Sequence, residues 1–332
     1  EVMSWFRWRQ APFAQEQTHT GLLLPDGGED VGAEEVRIVG EELRTLDGLD
    51  TRTRRAPVAL VFDYAGDRVQ RTVQPGAITH DPLVFAQDVH GACRRLGLDI
   101  DIVAPTADLG GYRAILLPNS TIDDPALVTR LVAARDAGAH VVLFPRTGSR
   151  DAEFRIPDTL PPGSFRDLID IRIVRTETLP PFERPTARRM ADAGKSPETV
   201  ATHAWREHVE SPLEPLARFA DGWGFHYADG PVHYVNAIPG RDALRPLLAP
   251  ILDAAGVATH DLGAGLRLRR LGAVTFAFNV GPETADLAAR LPGSAGLSPD
   301  TPLLFGERVL APARLAAWVS QTSPAADRGG AS

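Results

Sequence analysis

One cysteine, Cys93, is the whole thiol complement of this 332-residue chain. A disulfide framework and a multi-cysteine zinc site are therefore excluded. Lysine is as scarce: Lys195 is the single lysine among 35 basic residues. A nucleic-acid stripe would account for many arginines, but here they are spread along the chain and the formal net charge is −8. The codons of a GC-rich genome explain the bias better, and no nucleic-acid partner is expected. No apolar run reaches the roughly 18 residues that span a bilayer, so no membrane helix is expected either. Gly27-Gly28 and Gly110-Gly111 lack the spacing of phosphate-cradling loops and read as turn glycines. What the chain does have is apolar mass. Its 43% hydrophobic content supplies packed cores, which rules out a disordered chain.

The pattern changes several times along the chain. Residues 1–9 (EVMSWFRWR) carry three bulky aromatics and suit a buried strand followed by a loop. Val36, Val39, Leu43 and Leu46 then recur at three- and four-residue steps, which predicts an amphipathic helix over Glu34 to Leu46. Asp47 to Arg55 reads as a linker.

From Ala56 short apolar runs alternate with helical stretches. Val58–Phe62, Ile100–Val103, Ala114–Pro118 and His140–Phe144 are the strands. Phe85–Leu96, stopped by Gly97, and a helix opened by Asp123-Asp124-Pro125 and ended by Gly138 lie between them. This is the signature of a parallel sheet with helices on both faces. Residues 147–215 hold one clear strand, Ile171 to Arg175, with loop excursions at 180–182 and 194–197. Val232–Asn236 and a helix over Leu244–Ala255 bring this α/β unit to about residue 258. Gly265–Arg270, Val274–Val280, Leu303–Phe305 and Arg308–Leu310 alternate between glycine and proline punctuation, predicting a small antiparallel β module. The tail is expected to be disordered.

Few residues in the α/β unit invite chemistry. The turn Phe144-Pro145-Arg146-Thr147-Gly148-Ser149 sits where a doubly wound sheet can carry a nucleophile, yet it has no cysteine. Ser149 would need a histidine and an acid beside it. Cys93 falls on the inner face of a helix, where a thiol acts as a small hydrophobe. His203 and His208 miss the i, i+4 spacing of helical ligands, whereas His226 and His233 flank a turn that could bring them together. No metal and no cofactor is expected. Near the N-terminus, Glu16 and His19 lie three residues apart, just after the aromatic run. On one turn they would present an acceptor and a donor over an aromatic platform, as sugar hydroxyls require.

These N-terminal residues also resemble a known family. Trp5-Phe6-Arg7-Trp8-Arg9-Gln10 followed by Glu16-Gln17-Thr18-His19-Thr20-Gly21 resembles the end of the catalytic barrel in family 42 β-galactosidases. Val58–Asp63 (VALVFD), Asp99–Val103 and Ala107–Arg113 are similar to that family's middle domain. Phe276–Asn279 and Leu310–Pro312 are similar to its C-terminal β domain. Two departures stand out: Thr20 replaces a frequent serine, and Gly66–His80 lacks the family's tryptophans.

The resemblance implies an α/β chain in three parts. Residues 1–52 would be the last βα unit of a (β/α)8 barrel, truncated. Residues 56–258 would be a class I glutamine amidotransferase-like (flavodoxin-like) trimerisation domain without the cysteine nucleophile. Residues 259–318 would be a small β domain, with 319–332 as the tail. It also implies retaining hydrolysis of terminal β-D-galactosides by a homotrimer, in the cytoplasm. Glu16 and His19 would bind galactose hydroxyls, and Trp5 and Phe6 would wall the pocket. The acid/base and nucleophile glutamates are expected upstream of this chain, so it would be inactive by itself, and Glu1 is not assigned to either role. A non-catalytic assembly or carbohydrate-binding module, and a hydrolase built on Ser149, are the alternatives.

Overall fold

The computed structural model describes residues 4–72, 80–189, 199–291 and 297–320. The predicted excursion at 194–197 and the tail beyond residue 320 lie outside them. No helix among the described residues is long and apolar enough to cross a membrane.

The expected N-terminal strand does not form. Residues 4–30 make only isolated bridges, Arg9 with Leu23 and Leu23 with Glu29. A strand needs a neighbour along its length, and among the described residues only Leu22 and Leu23 share backbone hydrogen bonds with residues 7–10. Trp5, Phe6 and Trp8 are consequently exposed rather than buried. Helix α1 (Val31–Arg44) follows, three residues earlier than the periodicity predicts, because the Asp30 carboxylate caps it by accepting from the Val31 amide. None of its residues is buried.

The α/β unit begins with β1 (Val58–Val61), α2 (Tyr64–Thr72), α3 (Pro82–Arg95), β2 (Ile100–Val103), β3 (Ala114–Leu117), α4 (Pro125–Asp136) and β4 (His140–Leu143). Helices α3 and α4 start identically: an aspartate, Asp81 or Asp124, accepts two amide hydrogens, and a proline takes the first turn. The chain continues with β5 (Arg172–Thr178), β6 (Thr186–Arg189), β7 (Thr199–Glu210), β8 (Ala217–Phe219), β9 (Gly224–Asp229), β10 (Val232–Val235), β11 (Ala237–Pro239) and α5 (Arg241–Ala254).

Strands β2, β1, β3, β4 and β10 pair in that order and are all parallel. This is the flavodoxin-like 2-1-3-4-5 winding. Beyond β10 the sheet continues antiparallel through β9, β8, β6, β7 and β11, with β5 on β7. Among its described residues the 147–215 region holds three strands: β5, where one was predicted, and also β6 and β7. Their alternation explains the miss: β7, TVATHAWREHVE, buries every second residue over much of its length and shows threonine, arginine and glutamate on the other face. Alternate residues of β1 divide the core. Val58 and Leu60 pack with α3 and α5, while Ala59 and Val61 pack with α4.

The last module comprises β12 (Leu266–Leu271), β13 (Val274–Asn279), β14 (Ala285–Asp286), α6 (Leu287–Arg290), β15 (Leu303–Phe305), β16 (Val309–Leu310) and β17 (Leu315–Val319). An antiparallel sheet β12-β13-β17-β15 closes over the fully buried Trp318. Asp99 joins this module to the α/β unit. Its carboxylate accepts from Arg94 Nη1 at 2.8 Å, Arg269 Nη1 at 3.2 Å and the Arg270 amide at 2.9 Å. The 47–55 linker is also tied down, since the Ala273 amide donates to Asp50 O at 2.7 Å.

Candidate functional site

Three backbone hydrogen bonds position the N-terminal site. Leu22 N donates to Arg7 O and Leu23 N to Trp8 O, while Gln10 N donates to Leu23 O. Gly21 permits this approach, because a Cβ there would lie 2.6 Å from Gln10 N. The clasp throws residues 11–20 into a loop, within which His19 N donates to Glu16 O at 3.1 Å. That turn puts both predicted side chains on the Phe6 side. The His19 ring meets Phe6 edge-on at 6.4 Å, and the Arg7 guanidinium covers the Phe6 ring at 5.1 Å. Arg7 also forms an ion pair with Glu16.

Phe6, Arg7, Glu16 and His19 therefore make one cluster. Phe6 is 73% exposed, leaving a ring face for the C–H face of a bound molecule. Glu16 accepts hydrogen bonds, and His19 adds a donor or acceptor beside it. Trp5 is half exposed, and none of the ring contacts of this cluster involves it. Arg7 is the member the sequence reading missed. Its position next to Phe6 was the available signal, but only the clasp carries Glu16 back to it. One carboxylate is present here, and Arg7 balances it. Retaining glycoside cleavage needs two, about 5–5.5 Å apart.

The turn after β4 is occupied differently from a hydrolase elbow. Its apex is Arg146, a non-glycine residue at φ +70°. The Arg146 amide donates to Glu207 Oε1 at 2.8 Å, and its guanidinium sits 5.0 Å from the Trp205 ring. Glu207 is fully buried and also accepts from Tyr234 Oη at 2.6 Å and Trp205 Nε1 at 3.2 Å. Burial nevertheless pushes its pKa up. Ser149 is buried, and its Oγ has no hydrogen-bond partner among the described residues, so no Ser–His pair forms. Cys93 lies wholly in the core, with its thiol pushed up to about 12 by burial. It stays protonated and unreactive.

In open α/β sheets, ligands favour the crevice where the strand order reverses, here between β1 and β3. That crevice is filled. Asn119 exchanges hydrogen bonds with the Asp63 backbone, and Gly66 of α2 packs so closely that a Cβ would stand 2.3 Å from Asn119 O. The predicted approach of His226 to His233 does occur, with Nε2 and Nδ1 3.0 Å apart. His203 and His208 lie on β7, so helical ligand spacing does not apply to them. No group of three or more His, Cys, Asp or Glu residues that could hold a metal occurs among the described residues.

Comparison with known proteins gives this architecture its context. Residues 56–258 match the family model described as the β-galactosidase trimerisation domain. A β-galactosidase of Thermus thermophilus is 41% identical over 318 residues, covering 96% of this chain and 46% of that protein. The Bga β-galactosidase of Halorubrum lacusprofundi is 32% identical over 295 residues, covering 84% and 42%. Among solved structures, the β-galactosidase of the psychrophilic Marinomonas ef1 superposes with a TM-score of 0.82 at 29% identity, over 95% of this chain and 46% of that one. The Halorubrum lacusprofundi enzyme gives 0.83 at 29% identity, over 96% and 47%. The chain thus spans about half the length of the curated relatives it matches. It belongs to the family 42 β-galactosidases, with residues 56–258 as their trimerisation domain.

Proposed function

We propose that this chain is the C-terminal part of a retaining β-galactosidase, and that its share of the active site is the Phe6–Arg7–Glu16–His19 cluster. The observation that carries the reading is that cluster. An acceptor and an imidazole, three residues apart, stand over an exposed aromatic ring on a closed loop. In this reading residues 1–52 are the last βα unit of a (β/α)8 barrel. Their exposed Trp5, Phe6 and Trp8 face the rest of that barrel and its pocket. Glu16 accepts hydrogen bonds from galactose hydroxyls, Arg7 pairs with the carboxylate and aims it, and His19 supplies the neighbouring polar contact. Trp5 and Phe6 form the wall. The two carboxyl groups that protonate the leaving oxygen and attack the anomeric carbon come from the remaining barrel. Residues 56–258 assemble the protein as a homotrimer.

The test is hydrolysis of a chromogenic β-galactoside by two proteins: the 332-residue chain alone, and the chain fused behind the complementary half of the Thermus thermophilus relative. Activity is expected only in the fusion. There, Glu16→Gln should raise KM and lower kcat/KM by about 100-fold, a loss of roughly 2.7 kcal/mol of transition-state stabilisation. Hydrolysis by the short chain, or an unchanged kcat/KM in the Gln variant, would overturn the reading.

A further inference from the structure

A cavity of about 240 Å³ lies between the sheet and α5, at the end of the sheet where β4 and β10 begin. This is the opposite end of β4 from the Arg146 turn, and the residues of the N-terminal cluster take no part in it. Most of its wall is hydrocarbon, with Phe225, Leu247 and Ile251 among the lining side chains. At about 30 Å³ per water it has room for roughly eight water molecules. A nucleotide does not fit such a volume, but a small organic molecule does.

Four nitrogen-bearing side chains also line the cavity: His140, His226, His233 and Arg189. The sheet register places the imidazoles on one face. His233 sits opposite Val142, two residues along β4 from His140, and His226 opposite Val235 on the neighbouring strand. The His226 and His233 rings meet at 3.0 Å, and His233 stacks on His140 with centroids 6.0 Å apart. Burial lowers the pKa of His226 to about 3 and of His233 to about 4, so both are neutral at pH 7. Each uses one ring nitrogen on the other, which spoils the set as a metal site. His140 Nδ1 is buried with no hydrogen-bond partner among the described residues.

Arg189 supplies the one fixed charge. Among the described residues no Asp or Glu lines the cavity, and none forms an ion pair with Arg189. A half-buried guanidinium beside buried imidazoles, with no carboxylate among the described lining residues, is matched by a carboxylate from a bound molecule. The apolar wall calls for a compact hydrocarbon body attached to it. We infer that this cavity binds a small organic monocarboxylate, its carboxylate at the Arg189–histidine end and its apolar body against Phe225, Leu247 and Ile251. The inference does not depend on the activity proposed above.

Benzoate is a suitable probe, with benzamide as its neutral counterpart of the same shape. Both are titrated into the full 332-residue chain by calorimetry, while the imidazole resonances are followed by NMR. Saturable benzoate binding that shifts His140, His226 and His233 is expected, with benzamide at least tenfold weaker. Arg189→Met should weaken benzoate at least tenfold and close the gap to benzamide. Ala254→Trp, at the exposed rim, should block both probes. Equal affinity for benzoate and benzamide would overturn the inference. So would the absence of saturable binding, or shifts confined to residues outside the cavity. The benzoate–benzamide comparison in the unaltered chain decides the matter even where a variant folds poorly.

Discussion

Replacing Asp99 by alanine tests whether one carboxylate couples the α/β unit to the C-terminal module. Its side chain is 11% exposed and accepts from two guanidinium groups and the Arg270 amide. Removing one partner of a buried charge pair costs about 3–5 kcal/mol, because the remaining charge is left uncompensated. The lower end applies here. Arg94 is 18% exposed at its side chain and keeps the carbonyls of Leu98 and Leu268 as acceptors. A loss of about 3 kcal/mol corresponds to roughly a hundredfold faster exchange of amides protected by the junction. Native-state hydrogen exchange at the Arg270 amide and along β12 reads this directly, without assuming that the whole chain unfolds in one step. Asp99→Asn keeps one acceptor oxygen and should cost about half as much. Arg269→Ala, at a half-exposed pair, should cost less than about 1 kcal/mol. Acceleration below about tenfold in the alanine variant would refute the argument. It would mean that the packing of helix α3 against β12 holds the modules together and the charge cluster is incidental.

Two further outcomes follow from buried groups. Glu207 has a raised pKa in the folded protein, with burial as the main cause, so the folded state holds its proton to higher pH than the unfolded chain does. Stability contributed at this site is therefore full below the unfolded value and falls as pH rises through the folded one. Across pH 4.5 to 8 the urea midpoint of the native chain should fall relative to that of Glu207→Gln as pH rises; a relative rise would contradict the assignment. Gly66→Ala would force a Cβ to 2.3 Å from Asn119 O, an overpacking cost of about 1–3 kcal/mol. The gain in helix propensity, about 1 kcal/mol, offsets only part of it. A lowered urea midpoint is expected, and a raised one would show that α2 is free to shift.

The residues that revealed themselves in the sequence did so through local chemistry. Val58–Phe62 and His140–Phe144 are buried on both faces, so continuous apolar runs marked them as central parallel strands. Asp124-Pro125 and Gly138 bracket α4 because capping and the left-handed stop are local requirements. Strand β5 was foreseen at 171–175, but β6 and β7 stayed hidden because one face of each carries arginine, threonine or glutamate, which dilutes the apolar signal. The N-terminal aromatics misled in the other direction. Their composition fits a buried strand, but burial depends on neighbours, and residues 21–23 offer too short an edge.

The candidate sites divide along the same line. Glu16 and His19 were legible because they are three residues apart, and one turn brings such residues together whatever the rest of the chain does. The empty elbow was legible too, since a missing cysteine is a fact of composition. That Arg146 occupies its apex at positive φ, over a carboxylate 61 positions further on, was not. Arg7 reaching Glu16, Glu207 gathering Trp205 and Tyr234, and Arg189 joining three imidazoles around a cavity all require chain segments to be brought back together. The sequence by itself determined the strand and helix alternation of the α/β unit and the local Glu16–His19 turn, because these rest on short-range periodicity and turn chemistry. Only the tertiary structure decided which polar groups meet and which are buried, because desolvation and hydrogen bonding act between residues that are distant in the chain and adjacent only in the fold.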